Sequence, residues 1–83
     1  MKVTVRFFAA LREALGPVHL LELPAGATAA SARDALIARG GAFAQALSRG
    51  RAVRCAVDQV MADDDTPLAD GAELAFFPPV TGG

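Results

Sequence analysis

The stretch Lys2-Val3-Thr4-Val5-Arg6-Phe7-Phe8 alternates, with Val3, Val5 and Phe7 on one side and Lys2, Thr4 and Arg6 on the other. Side chains of a strand point alternately to its two faces, so this is a strand with one buried and one wet face. A chain of 83 residues makes one small domain, so the cover for the apolar face must come from within the same chain. Helical spacing follows at once: Phe8, Leu11 and Leu15 fall at i, i+3 and i+7, giving a short helix over Ala9 to Leu15 that Gly16-Pro17 stops.

Val18 to Leu23 reads as a second strand, ended by the turn residues Pro24-Ala25-Gly26. The main helix begins at Thr28 or at Ser31, both good N-caps, and Ser31-Ala32-Arg33-Asp34 resembles a capping box with Asp in place of Glu. Its alanine-rich stripe of Ala29, Ala32 and Leu36 suits close packing on a sheet, and Gly40-Gly41 ends it. Ala42 to Leu47 is one further helical turn anchored by Phe43 and Leu47, with Ser48-Arg49-Gly50 as the loop into the strand that carries Cys55. Asp58-Gln59 forms a tight turn into Val60-Met61-Ala62, Asp70-Gly71 forms another, and Glu73-Leu74-Ala75-Phe76-Phe77 is the last strand. The expected fold is α+β: a small mixed sheet with its main helix on one face, as a single domain over residues 1–83.

Several function classes are disfavoured. A net charge of −1, no Trp or Tyr and scattered arginines leave no obvious nucleic-acid groove. The chain runs from Met1 straight into a strand pattern, and no stretch approaches the roughly 18 apolar residues of a membrane span, so a cytoplasmic address and no membrane association are expected. The single Cys55 forms no internal disulfide, dithiol or multi-cysteine metal site, and its alternation with Val53 and Val57 makes it a core residue. His19 is the only histidine and has no nucleophile at a recognisable spacing. Asp63-Asp64-Asp65 is expected to be a solvated turn, because consecutive carboxylates point in different directions.

What remains is the end of the chain, Phe76-Phe77-Pro78-Pro79-Val80-Thr81-Gly82-Gly83. Two prolines fix φ and lack N–H groups, so the chain leaves its strand stiffly and extended. Gly82 and Gly83 carry no side chains and can pass through a channel too narrow for a Cβ. From Pro78 to Gly83 the extended reach is about 20 Å, enough to enter another protein's active site. If Leu74 and Phe76 face the core, Phe77 shares the outer face with Glu73 and Ala75, where a large aromatic beside the tail suits partner docking. Pro78, Pro79, Val80 and Thr81 are expected to help seat the partner, with Gly82 and Gly83 reaching inward.

The element order resembles the ubiquitin-like β-grasp fold, and the Phe-Phe-Pro-Pro-Val-x-Gly-Gly ending resembles that of the small, sulfur-carrying subunits of molybdopterin synthases. The resemblance extends to Val5-Arg6-Phe7-Phe8-Ala9 with Leu11-Arg12-Glu13, to Ala56-Val57-Asp58-Gln59 and to Pro67-Leu68-Ala69-Asp70-Gly71-Ala72-Glu73. It implies a carrier that is not an enzyme on its own and binds no cofactor. The Gly83 carboxylate would be adenylated, with ATP, by a ubiquitin-activating-like adenylyltransferase and converted to a thiocarboxylate with sulfur from a donor enzyme. The charged carrier would then dock on the large synthase subunit, in a two-plus-two complex, and deliver sulfur to cyclic pyranopterin monophosphate to form the dithiolene of molybdopterin. Acid, base and substrate binding would lie on the large subunit. Asp58 stands where that family usually has Asn, and Ala72 where an Asp commonly follows Asp-Gly. The rival readings are a sulfur carrier for thiamine thiazole or another pathway, a ubiquitin-like protein modifier, and a pure docking module. With Lys2 as the only lysine, chains built on its own side chains have almost no attachment point.

Overall fold

The computed structural model describes residues 1–79. The strands are β1 (Lys2–Phe7), β2 (Val18–Glu22), β3 (Arg54–Val57), β4 (Val60–Ala62) and β5 (Glu73–Phe77), and the helices are α1 (Ala9–Leu15), α2 (Ala29–Ile37) and α3 (Gly41–Leu47). They form one five-stranded sheet in the order β2-β1-β5-β3-β4. β1 and β5 run parallel at its centre, and every other neighbouring pair is antiparallel. This is the mixed sheet and helix cover expected of a β-grasp.

The alternation of β1 is realised in full: Val3, Val5 and Phe7 are essentially inaccessible to solvent. They meet Leu74 and Phe76 of β5, Leu11 and Leu15 of α1, Ala29, Ala32 and Leu36 of α2, and Leu47 of α3 in one buried cluster. Burial of these aliphatic and aromatic side chains, at roughly 1.5–3 kcal/mol each, is what holds the helices to one face of the sheet. Phe8 departs from the expected helical stripe. It is the N-cap of α1, in an extended conformation, and is 40% exposed, because the sharp β1–α1 corner, with Ala9 at φ 53°, turns it away from the core.

The start of α2 is at Thr28. Its hydroxyl accepts from the Ser31 N–H at 3.2 Å while its own N–H donates to Ser31 Oγ at 2.7 Å, a reciprocal capping box. Ser31 is therefore the third residue of the helix. Asp34 instead serves a tertiary contact. Arg49 donates to it at 2.8 Å and also donates to the Ala30 carbonyl, which ties the post-α3 loop to α2. The segment expected to be one helical turn is the complete helix α3, and Gly40 and Gly41, with φ of 76° and 55°, make the corner between α2 and α3.

Asp58 and Gln59 both have positive φ, 48° and 70°, as the two central residues of a right-twisted hairpin turn require, and they join β3 to β4. The Asp58 carboxylate accepts the Glu73 N–H at 3.0 Å, a role that the family's Asn could fill equally well. Gln59 gains nothing comparable from its side chain among the described residues, so Gln59→Gly should raise stability by about 0.5–1 kcal/mol in urea unfolding, and a loss of stability would contradict this account of the turn. Ala72 is buried, 4% exposed, so alanine at this position serves packing.

Candidate functional site

β5, the third of five strands, ends at the residue from which the tail departs. Leu74 and Phe76 face inward and are buried, whereas Glu73, Ala75 and Phe77 are half-buried on the opposite face, as the alternation predicts. Phe77 lies opposite Arg54 of β3, and Pro78 and Pro79 follow it, also half-buried. Val80, Thr81, Gly82 and Gly83 lie outside the described residues.

The strand registers define the sheet face on which Phe77 sits. Arg6 stands level with Val18 and Ala75, Thr4 with Leu20 and Glu73, and Ala56 with Ala75 and Met61. This face carries four strongly exposed apolar side chains: Phe8, Val18, Leu20 and Met61. Near its middle Arg6 donates to Glu73 at 3.2 Å, and the Arg6 guanidinium carbon lies 5.7 Å from the centre of the Phe8 ring. An exposed ion pair of this kind is worth at most about 1 kcal/mol to stability. Its greater consequence is to set a polar pair within an apolar surface.

Sequence reasoning places Phe77 on this face but not its companions. Helical spacing puts Phe8 in the α1 stripe, and Val18, Leu20 and Met61 join Phe77 only once the strand order and registers are known.

Arg33 escapes it as well. It is 7% exposed on α2 and donates to three main-chain carbonyls: Leu47 and Ser48 at 2.7 Å each, and Arg51 at 3.0 Å. Burial, then the neighbouring Arg49, lowers its pKa, while Asp64 and Asp34 oppose the shift. Arg33 closes the C-terminus of α3 and fixes the loop that leads to β3, and β3 flanks the tail strand.

The remaining polar candidates have structural positions. His19 packs edge-on against Phe7 and Phe43, and its Nε2 hydrogen-bonds the Leu15 carbonyl. Asp63 accepts from the Asp65 N–H and the Thr66 hydroxyl in a turn, and Asp64 pairs with Arg49 at 3.5 Å. No group of three His, Cys, Asp or Glu side chains suited to a metal occurs among the described residues. No helix among the described residues is long and apolar enough to cross a membrane. The Cys55 thiol is buried, reaches the Ala62 carbonyl at 3.6 Å, and has its pKa raised chiefly by burial and further by Asp64 and Asp63. It should react with iodoacetamide at least about tenfold more slowly in the folded chain than in denaturant, and equal rates would place it at the surface.

Comparison with known proteins agrees with this fold. The ThiS family model matches residues 5–83. The molybdopterin synthase sulfur carrier subunit of Escherichia coli (strain K12) is 42% identical over 82 residues, covering 98% of this chain and 99% of that protein. Among solved structures, SAMP1 from Haloferax volcanii superposes with a TM-score of 0.81 at 28% identity, covering 100% of both chains. A complex of subunits 1 and 2 of the molybdopterin-converting factor from Helicobacter pylori 26695 contains a chain that matches with a TM-score of 0.67 at 26% identity, again over 100% of both. A family match over nearly the whole length, together with a full-length relative at this identity, shows that the chain belongs to the ThiS family, alongside the molybdopterin synthase sulfur carrier subunits.

Proposed function

We propose that this chain is the sulfur carrier subunit of a molybdopterin synthase, with the Gly83 carboxylate as its reactive group. The observation that carries the reading is the 42% identity, over 98% of the chain, to a sulfur carrier subunit. The geometry supports it: the tail departs from the centre of the sheet beside an uncovered apolar face, which is where a carrier must be gripped while its end reaches elsewhere.

An α-carboxylate, with a pKa near 3.5, is ionised and a poor acyl donor at neutral pH. It therefore needs activation. The carboxylate oxygen attacks the α-phosphorus of ATP on a ubiquitin-activating-like partner, pyrophosphate leaves, and a mixed anhydride forms. A persulfide on a donor enzyme then displaces AMP to give an acyl disulfide. A second thiol of the donor attacks the donor-side sulfur, forming a donor disulfide and releasing the thiocarboxylate on Gly83. The charged carrier docks on the large subunit, Gly82 passes through the channel, and the thiocarboxylate sulfur attacks a carbon of cyclic pyranopterin monophosphate. A C–S bond forms as a C–O bond at that carbon breaks, and the departing oxygen takes a proton from the large subunit. Hydrolysis of the resulting thioester returns the Gly83 carboxylate. The sulfur anion needs no base from this chain, and acid, base and substrate binding are assigned to the large subunit.

In this reading Phe77, Pro78, Pro79, Val80 and Thr81 seat the large subunit, with Phe77 as the anchor. Phe77→Ala should weaken binding to the large subunit by about tenfold or more while leaving the chain folded, as read by calorimetric titration and thermal melting. Unchanged affinity would remove Phe77 from the interface. The function itself is tested by adding the thiocarboxylated chain to the large subunit and cyclic pyranopterin monophosphate. Molybdopterin should form with one sulfur transferred per carrier; failure to form it with an active large subunit would overturn the reading.

A further inference from the structure

On the helix side of the molecule a groove of about 400 Å³ runs between α1 and α3 and reaches the base of the tail at Pro78. Its walls include the methyl groups of Ala14, Ala42 and Ala46, and its polar lining is Gln45 and Arg51. Ala14, Ala42, Gln45 and Arg51 are all exposed, so the groove is open to another molecule. The backbone of Arg51 is held by the bond from Arg33 to its carbonyl, while its side chain makes no ion pair among the described residues. The site is thus an apolar hollow with an exposed cation at its rim, carried on a backbone that Arg33 holds in place.

Phe77 faces the open side of the sheet, and the next residue, Pro78, faces the groove. A protein that encloses the tail therefore meets both surfaces where they join. We propose that the groove is a second docking site for the large subunit, taking an apolar side chain of that subunit among the alanine methyls and an adjacent carboxylate on Arg51. The inference rests on the function proposed above, which supplies the partner. One feature selects this occupant: the groove is continuous with the tail-and-sheet surface through Pro78, so a partner that encloses the tail reaches it. A guanidinium also offers paired donors that match a carboxylate in two-point geometry.

The test is calorimetric titration of the large subunit with the full-length chain and with Ala14→Trp, which fills the groove, Arg51→Glu, which reverses its charge, and Arg51→Lys. Both positions are exposed, and thermal melting checks that each variant is folded. Ala14→Trp and Arg51→Glu should each weaken binding about tenfold or more, with Arg51→Lys losing less than Arg51→Glu. If these variants bind like the parent chain while Phe77→Ala does not, the groove is not an interface and the proposed function stands. If the parent chain itself does not bind the large subunit, the proposed function fails first. If removing residues 80–83 from the free chain shifts the Ala14 and Ala46 methyl resonances, the chain's own end occupies the groove, and the proposal is overturned.

Discussion

Removing Gly82 and Gly83 should reduce sulfur transfer to background while leaving the melting temperature within about 2 °C of the parent chain. The two halves of this expectation have separate physical grounds. The buried cluster draws its last member in sequence from Phe76, and the last strand pairing is Phe77 with Arg54, so the described fold is complete before the glycines. The chemistry has no substitute elsewhere in the described residues. Cys55, the one thiol, is buried with its pKa raised, which disfavours the thiolate that would be needed to receive and deliver sulfur in place of a terminal thiocarboxylate. Truncation also creates a new carboxylate on Thr81, but that carboxylate is two residues short, roughly 7 Å of extended chain, of the site proposed for Gly83. Measured with the large subunit and cyclic pyranopterin monophosphate, residual transfer near the parent level would contradict the assignment of Gly83. An unfolded deletion variant would contradict the division between fold and tail.

Arg33→Ala should be the most damaging single substitution outside the apolar core. At roughly 0.05–0.15 kcal/mol per residue, a chain of 83 residues has about 4–12 kcal/mol of stability in total. The substitution leaves the carbonyls of Leu47, Ser48 and Arg51 without their donors in a largely buried setting, and it opens a space where the side chain lay. Charge-assisted bonds of this kind and the cost of unmet acceptors together predict a loss of about 3 kcal/mol or more in urea unfolding. Arg33→Lys should recover only part of it, because one ammonium cannot reproduce the forked donors that reach three carbonyls. A loss below about 1 kcal/mol for Arg33→Ala would show that the loop after α3 holds itself without Arg33.

The contrast between Arg33 and β1 shows what can be read from the residues alone. Alternation in Lys2 to Phe7 involves neighbouring residues and a fixed period, so the inward set of Val3, Val5 and Phe7 is legible without any tertiary knowledge. The same logic places Leu74 and Phe76 inward and Phe77 outward. Arg33 is hidden by its charge rather than by its position. With Ala29, Ala32 and Leu36 it forms an i, i+3, i+4, i+7 stripe, and that spacing points inward, but an arginine is normally solvated unless partners are at hand. Its partners are carbonyls of a distant loop, which carry no signature in the sequence.

The cap of α2 is underdetermined for another reason: Thr28 and Ser31 are both competent caps, and the structure uses them together as the two members of one box. Phe8 is misplaced when a helical period is extended backward across a corner with positive φ at Ala9. The exposed apolar face of the sheet is the least legible part. Leu20, Met61 and Phe77 come from three strands whose adjacency depends on the order β2-β1-β5-β3-β4, and no local pattern encodes that order.

The central claim, that Gly83 carries sulfur, is tested most directly by the intact mass of the chain after incubation with its activating enzyme, a sulfur donor and ATP. A gain of about 16 Da confined to the C-terminal peptide is predicted, since one carboxylate oxygen is replaced by sulfur. An unchanged mass when the activating enzyme is competent, or a gain located at Cys55 instead, would contradict the account.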